Sequence, residues 1–472
     1  MAPSKIDTPT PALSSDAHPT NVPQDASRTV LRGPVRKTLL LLALPVLAEQ
    51  MLNTFVGLFD TWLAGRISSA ATSAVGLAAY VSWLGTMIVM LVGTGTTALV
   101  ARHKGAGASE QANRCTNQSV TLAAMLGFFL FVLLYTVAPL LAAYSRLSGD
   151  AFDVAVTYLR IDSFGHIFMG LILVGCAALR GVGDMRTPML IFAAINGVNI
   201  LASCVFVYGL EMGVNGIVGG TILSRGVGAV IMLTLLIRGC AGLILIRSQL
   251  SFVWARAWRI LRIGIPAATD GAVLWIGHFI FLAIIARAYD GLLGQACFAA
   301  HIIAIRVEAL VYLPAVAWGA ATATMIGQSL GHGDPLRAKR AGLEAVLQCG
   351  LLSVMMAAFF YMAASWIFEQ MTIDPLVRAA GVGPFRVLAL FQPLLIISIV
   401  LIHGLRGAGD TRVPLLITIL GVLLRLSVGY YFCMIAGWGL IGAWMGMFGA
   451  MAWRATAAAA HFLSGRWITT RV

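Results

Sequence analysis

The chain has 472 residues, of which 59% are hydrophobic and 11% are charged, whereas a soluble domain has roughly 45–50% apolar and about 25% charged residues. This composition excludes a soluble globular protein. The formal net charge of +13 would suggest nucleic-acid binding in a soluble protein. Here the basic residues lie in short loops between apolar segments, so we expect no nucleic-acid partner.

Residues 1–38 are rich in Pro, Ser, Thr and Asp and predict a disordered cytoplasmic tail. Twelve apolar runs follow, each long enough for the roughly 20 residues that cross a bilayer as a helix. They are 39–63, 74–101, 117–143, 156–178, 188–209, 214–237, 262–287, 294–328, 341–368, 384–404, 414–436 and 440–463. We expect residues 464–472 to form a second cytoplasmic tail.

Basic residues are distributed unequally between the two sets of loops. With a cytoplasmic N-terminus, 22 Lys and Arg lie on the cytoplasmic side and four on the opposite side. By the positive-inside rule this asymmetry places both termini in the cytoplasm. The sequence therefore predicts a multi-pass protein of the bacterial cytoplasmic (inner) membrane.

An internal repeat divides the chain into two halves. LRGVGDMRTP at 179–188 recurs as LRGAGDTRVP at 405–414, with seven of ten positions identical at an offset of 226, which indicates a duplicated bundle. We predict an all-α integral membrane protein with an N-lobe at 39–237, an inter-lobe linker at 238–261 and a C-lobe at 262–463. Each lobe has six helices, so a pseudo-twofold axis along the membrane normal would relate the two lobes.

Polar residues in the first apolar run form one stripe. Glu49, Asn53 and Asp60 lie within roughly 40° of one another on a helix. An ionisable side chain in a spanning helix costs at least about 2.5–3.5 kcal/mol, so each needs a partner or a function. For Asp60 we favour a cation or proton site, and for Glu49 we favour a hydrogen-bonded contact between helices.

Two further helices of the first half carry candidate polar sites. Asn196, Asn199 and Ser203 share one face, which would either bind a cation or join neighbouring helices by hydrogen bonds. Asp162 and His166 are four residues apart beside Arg160, and we favour an ion pair near the membrane surface.

In the second half, His301 and Glu308 are seven residues apart and share a helix face, which indicates either a proton relay or a structural hydrogen bond. Asp270 lies four residues after Pro266 and is either a cavity-lining acid or a residue at headgroup level. Flexible and aromatic side chains suit a varied substrate cavity. Met51, Asn53, Trp275 and Phe279 are the candidates, although for the apolar ones lipid-facing or core packing is the more favoured interpretation.

The sequence contains no hydrolytic triad, no HExxH motif and no nucleotide-binding GK[ST] motif. We therefore expect no catalytic residues, no metal site and no cofactor, and a transport function driven by an ion gradient rather than an enzymatic activity.

Four stretches resemble the multidrug and toxic compound extrusion (MATE) family. They are LPVLAEQMLNTFVGLFDTWLAG, the paired LRGxGDxRxP turns, and FAAHIIAIRVEALVYLPAVAWGAATATMIGQSLGHGD at 298–334. The chain looks most similar to the DinF-type bacterial branch. The resemblance implies cation-coupled antiport of organic cations and amphipathic compounds, with membrane lipid as the surroundings and a monomer as the expected state.

The resemblance also assigns roles to individual residues. Asp60 matches the family's acid in the first helix, and Asn199 matches an amide that approaches it. Positions at which some members carry further acids are Ser203 and Leu395 here, which favours proton coupling over sodium coupling. The alternatives are a sodium-coupled antiporter and a flippase for lipids or lipid-linked precursors.

Overall fold

Twelve long helices form the protein in a computed structural model that describes residues 30–145, 147–287, 289 and 291–470. Within these ranges the regular structure is helical and contains no strand. The first six helices are α1 (Val35–Ile67), α2 (Ser69–Gly105), α3 (Ser109–Tyr144), α4 (Asp150–Val182), α5 (Arg186–Cys204) and α6 (Val214–Ile237). The other six are α7 (Trp254–Ala286), α8 (Gly291–Gly331), α9 (Pro335–Met371), α10 (Pro375–Gly407), α11 (Arg412–Tyr430) and α12 (Gly439–Ser464).

The lengths and apolarity of these helices fit a membrane-spanning bundle. Eleven helices in the described part of the chain are long and apolar enough to cross a membrane. The remaining one, α12, is 26 residues long, enough for a bilayer core of about 30 Å at 1.5 Å per residue, but its glycines and Arg454 lower its mean hydropathy. The prediction of an all-α membrane protein with two six-helix lobes is confirmed.

Local details repeat in both lobes. α5 continues into a π-helical turn at Val205–Gly209, and α11 does the same at Tyr431–Ile435, again at an offset of 226. The α4–α5 and α10–α11 turns, at the end of the bundle called here the turn end, contain Gly183 and Gly409 with φ of 93° and 89°. Only glycine adopts this left-handed conformation without strain, which explains the glycine in each LRGxGD motif.

Predicted boundaries differ from the helices at the ends of both lobes. Within the predicted N-terminal tail, residues 35–38 belong to α1, and Arg337 donates to the carbonyl oxygen of Val30 at 2.6 Å. α7 begins at Trp254, inside the predicted linker, because its first turns are amphipathic rather than wholly apolar. In the predicted C-terminal tail, Trp467 is buried against Phe462. Residues 1–29 and 471–472 lie outside the described residues.

The two lobes meet along α1, α2, α7 and α8. At the turn end, a Cβ on Gly264 would lie 1.8 Å from the carbonyl oxygen of Leu91, so α7 and α2 are in backbone contact. Thr324 Oγ1 of α8 donates to the carbonyl oxygen of Arg180 at 2.9 Å, and Gln328 Nε2 donates to that of Gly181 at 2.9 Å. The lobes are therefore joined tightly at the turn end.

Farther from the turn end, α2 and α7 remain in contact through two tryptophans. The ring centroids of Trp83 and Trp275 are 4.0 Å apart. By the internal offset of 226, the residue corresponding to Trp83 is Ala309 on α8, which has no ring. The tryptophan contact therefore belongs to one side of the inter-lobe seam only.

Candidate functional site

Each lobe has a buried ion pair that ties its first helix to the LRGxGD turn. Arg180 Nη2 donates to both carboxylate oxygens of Glu49, at 2.5 and 2.7 Å. Arg406 Nη2 donates to Asp270 Oδ2 at 2.6 Å. Both acids are buried. Glu49 therefore makes the inter-helix contact favoured from the sequence, and Asp270 is the partner of an arginine rather than a free cavity acid.

These ion pairs also fix the correspondence between the lobes. Glu49 and Asp270 each lie four residues after an intrahelical proline, Pro45 and Pro266. The offset between α1 and α7 is therefore 221, whereas the other repeated elements follow 226. With the offset of α1, Asp60 corresponds to Phe281.

The same comparison pairs the polar residues of the other helices. Asn199 corresponds to Arg425 and Ser203 corresponds to Gly429. Between α2 and α8, Ser82 corresponds to Glu308.

Asp162 is the centre of a buried polar cluster in the first lobe. It accepts a hydrogen bond from Ser82 Oγ at 2.5 Å and one from Arg225 Nη1 at 2.9 Å. His166 Nε2 is 3.8 Å from Asp162 Oδ2. The acid is thus paired with Arg225 on α6, and not with Arg160, which lies over the Tyr135 ring. Sequence reasoning missed this partner because helical spacing does not predict contacts between helices.

Asp60 is half-buried and lies close enough to Arg225 and Asp162 to interact with both electrostatically. Its Oδ1 atom is buried and has no hydrogen-bond partner among the described residues. A carboxylate oxygen in this state lacks the donor that burial normally requires. Asp60 therefore has one carboxylate oxygen that could still accept a hydrogen bond or contact a cation.

The polar face of α5 contacts α1 and α6. Asn196 Nδ2 donates to Asn53 Oδ1 at 3.0 Å, which joins α5 to α1. Asn199 Nδ2 donates to Thr221 Oγ1 at 3.1 Å. In the described part of the chain, Asn199 Oδ1 and Ser203 Oγ are buried without a hydrogen-bond partner. Two more oxygens are thus available on this face.

The second lobe shows how these positions come together. Phe281 lies beneath Arg425, whose Cζ atom is 4.0 Å from the ring centroid, and a Cβ on Gly429 would be 3.1 Å from the same ring. These three residues are the counterparts of Asp60, Asn199 and Ser203. The pseudo-twofold relation therefore predicts that Asp60 lies beside Asn199 and Ser203. Each of the three side chains has one oxygen without a hydrogen-bond partner among the described residues.

His301 and Glu308 contact different helices, although they share a face of α8. Trp444 Nε1 donates to His301 Nδ1 at 3.1 Å, whereas Gln392 Nε2 donates to Glu308 Oε1 at 3.2 Å. The described hydrogen bonds do not link the two side chains to each other. In this conformation each of the two side chains is therefore hydrogen-bonded to a different helix.

The predicted cavity residues do not form one group, although the ring centroids of Trp275 and Phe279 are 5.8 Å apart. Asn53 is bound to Asn196, and Trp275 contacts Trp83 across the seam. Met51 and Phe279 are 59% and 56% exposed. The described residues contain no group of three or more His, Cys, Asp or Glu suited to a metal ion.

Comparisons with known proteins agree with this duplicated fold. The MatE family model matches residues 45–205 and 266–431, two segments that begin at the two prolines. The chain is 31% identical over 442 residues to a probable multidrug resistance protein, NorM, of Thermotoga maritima, covering 92% of this chain and 93% of the relative. It is 27% identical over 408 residues to the multidrug resistance protein PmpM of Pseudomonas aeruginosa, covering 84% and 83%.

Solved structures show the same architecture. One is described as an outward-facing multidrug resistance MATE family transporter of the MOP superfamily, with a TM-score of 0.84 and 24% identity over 93% of this chain and 97% of that chain. Another, a MATE protein in a bent conformation, has a TM-score of 0.85 and 25% identity over 93% and 96%. From the family match, the relatives and the shared fold, we conclude that the chain belongs to the MatE family of membrane transporters.

Proposed function

We propose that this MatE protein is a proton-coupled antiporter that exports organic cations and other amphipathic compounds from the cytoplasm by alternating access. It acts as a monomer of the DinF-type branch in the bacterial inner membrane, with both termini in the cytoplasm. It uses no cofactor other than the coupling ion. The multidrug resistance proteins among its relatives support drug export, and the basic loops at the turn end support this orientation.

The observation that carries the proposal is the state of Asp60. Its buried Oδ1 lacks a donor in the described residues, and Asn199 Oδ1 and Ser203 Oγ lack partners as well. A carboxylate without a bonded cation is suited to take up and release a proton, because neither state requires an internal ion pair to be broken. Asp162 is less suited to this role because Arg225 already holds it.

In the proposed cycle, deprotonated Asp60 favours binding of a cationic substrate from the cytoplasmic side. Protonation from outside removes the charge of Asp60, repacks α1 against the polar face of α5 and releases the substrate. Each ligand shifts the equilibrium only through its different affinity for the two conformations. With the turn end in the cytoplasm, the seam contacts of α2 with α7 and α8 close the cytoplasmic side in the conformation described here.

Sodium coupling is the first alternative. A sodium site with several carboxylates is disfavoured because Ser203 and Leu395 occupy positions of further acids in other members.

A flippase for lipid-linked precursors is the second alternative, and it would need several unpaired basic residues around its cavity. Arg180, Arg225 and Arg406 are each bonded to an acid. Arg425 of α11 and Arg454 of α12 are partly buried and have no ion pair among the described residues, and two are fewer than the several that such a cavity needs, which disfavours that function.

The test measures ethidium efflux from proteoliposomes that contain the purified full chain, with either a pH gradient or a sodium gradient imposed. We expect the pH gradient alone to drive efflux and Asp60→Asn to abolish it. Glu369→Gln, at an exposed acid of α9, is the matched control and should behave as the unchanged protein. Unchanged efflux in Asp60→Asn at equal reconstitution would contradict the assignment, and efflux driven only by sodium would establish the first alternative.

A further inference from the structure

The second lobe carries a differently charged version of the first-lobe site. Phe281 occupies the position of Asp60, and Arg425 occupies the position of Asn199. The carboxylate is thus replaced by a ring and the neutral amide by a guanidinium. The two counterparts are in contact, with the guanidinium carbon 4.0 Å from the ring centroid.

Arg425 has no ion-pair partner among the described residues. The ion pairs of these residues join other side chains, and the Nε atom of Arg425 is buried without a hydrogen-bond partner in the same part of the chain. Glu308 interacts with Arg425 electrostatically, but its described hydrogen bond comes from Gln392. A buried guanidinium normally binds a carboxylate or phosphate directly.

Two histidines beside Arg425 also present hydrogen-bond donors. Trp444 can only donate, so His301 Nδ1 accepts and the neutral ring carries its hydrogen on Nε2. This Nε2 is buried and has no acceptor among the described residues. His278 Nδ1 lies 3.4 Å from Arg425 Nη2, so the neutral His278 ring accepts there and is likewise a donor at Nε2. The second-lobe site thus supplies donors that lack acceptors among the described residues, and of these Arg425 and His278 are partly exposed whereas His301 is buried. The first-lobe site instead supplies acceptors that lack donors in the same part of the chain.

This donor cluster adjoins the seam between the lobes. His278 and Arg425 are both partly exposed. The Trp275 ring centroid is 5.6 Å from that of His278 and 4.0 Å from that of Trp83 in the other lobe. An aromatic ligand at the seam would thus meet a tryptophan surface and a cationic group together.

We propose that Arg425, together with His278, binds the carboxylate of the transported compound. This inference rests on the proposed export function and narrows its substrate class. The class consists of aromatic amphipathic molecules that carry a cationic group and also a carboxylate, the latter held in the second lobe by Arg425. A guanidinium binds a planar carboxylate through two parallel hydrogen bonds, which distinguishes the acid from its uncharged ester.

The test compares two dyes that differ only at the carboxylate. Rhodamine B carries a free carboxylate and a cationic xanthene ring, and its ethyl ester keeps the cation alone. Binding of each dye to the full chain in lipid nanodiscs is measured by fluorescence polarisation. For Arg425→Gln we expect affinity for rhodamine B to fall by about tenfold or more, the size expected for a hydrogen bond to a charged group, with less than about a twofold change for the ester.

Two further variants separate charge from structure. Arg425→Lys keeps the positive charge and should retain most of the preference for rhodamine B. Arg386→Gln removes an exposed arginine of α10 and should leave the affinities for both dyes unchanged.

Equal weakening of both dyes by Arg425→Gln, or no weakening of either, would overturn the carboxylate site. Ester binding to the unchanged protein as tight as that of rhodamine B would overturn this inference alone, since the export function does not require a carboxylate. Failure to bind either dye would overturn the inference and also count against the proposed export function.

Discussion

The two lobes have the same helices but different interiors. Near the turn end they are nearly equivalent, with Glu49 bonded to Arg180 in one lobe and Asp270 bonded to Arg406 in the other. Farther along the same helices the equivalence ends, because Asp60 has Phe281 as its counterpart. The duplicated fold therefore retains its cross-links between helices and differs at the positions proposed to bind the coupling ion and the substrate.

Physical reasons separate these two groups of residues. A buried acid and arginine must change together, since removal of either leaves an uncompensated charge. A residue such as Asp60 or Arg425, which has no ion-pair partner among the described residues, can change alone at lower cost. The lobes thus became chemically complementary, with acceptor oxygens in the first lobe and donor nitrogens in the second.

The largest effect is expected on efflux, and it distinguishes Asp60 in α1 from its counterpart Phe281 in α7. Asp60→Asn should abolish efflux driven by a pH gradient because the variant lacks the carboxylate proposed to exchange the proton in the first lobe. Phe281→Leu, at the counterpart position, should keep the dependence of ethidium efflux on the pH gradient. The measurement is the efflux rate in proteoliposomes as a function of the imposed gradient. Loss of the pH dependence in Phe281→Leu would show that coupling is shared between the lobes.

The next effect concerns the two ion pairs at the turn end. Glu49→Gln and Asp270→Asn each leave a buried arginine without its acid, so each should destabilise its lobe by about 3–5 kcal/mol. Thermal unfolding in detergent, followed by tryptophan fluorescence, measures the loss. Glu110→Gln, which removes an exposed acid paired with Arg114, should cost about 1 kcal/mol or less. If Glu49→Gln or Asp270→Asn, but not both, cost as little stability as the Glu110→Gln control, the two ion pairs would not be equivalent.

A smaller effect is expected at the two glycines of the turns. Gly183→Ala and Gly409→Ala place a side chain at φ of 93° and 89°, which costs about 1–2 kcal/mol for an L-residue. Gly65→Ala is the control, because a Cβ there meets nothing within 4 Å and the residue is helical. The control should unfold at the same temperature as the unchanged protein or at a slightly higher one. Equal melting temperatures for all three variants would contradict the role given to the turns.

The smallest effect tests a contact found in the second lobe alone. Trp444→Phe removes the donor to His301 and should cost about 0.5–1.5 kcal/mol, the value of one neutral hydrogen bond. The counterpart of His301 is Val75, so the first lobe has no such bond to lose. Trp366→Phe, at an exposed tryptophan, is the matched control. Indistinguishable melting temperatures for the two variants would show that the His301 bond contributes nothing to stability.

The sequence predicted the helices and the duplication because both depend on patterns along the chain. Long apolar runs identify the spanning segments, and the two LRGxGD motifs reveal the repeat. The same patterns placed Asp60 and Asn199 on inward polar faces. They did not identify Arg225 as the partner of Asp162, since the spacing within α4 contains no information about the side chains of α6.

The counterpart of Asp60 was missed for a different reason. The offset of 226, applied to α1, makes Ala286 the counterpart of Asp60. The change of offset to 221 in α7 is visible only from Pro45 and Pro266, each followed four residues later by an acid. Without that correction, the relation between Phe281 and Asp60 is hidden, and so is the reversed charge of the second-lobe site.

The π-helical turns at Val205–Gly209 and Tyr431–Ile435 have a geometric consequence for both sites. Each turn accommodates one residue more than an α-helical turn. Deleting that residue would restore a regular helix and rotate the preceding segment by about 100° relative to the following loop. Asn199 and Ser203 in one lobe, and Arg425 in the other, would then point away from their present neighbours. The two turns thus determine the direction, around the axes of α5 and α11, in which the polar side chains of each lobe point.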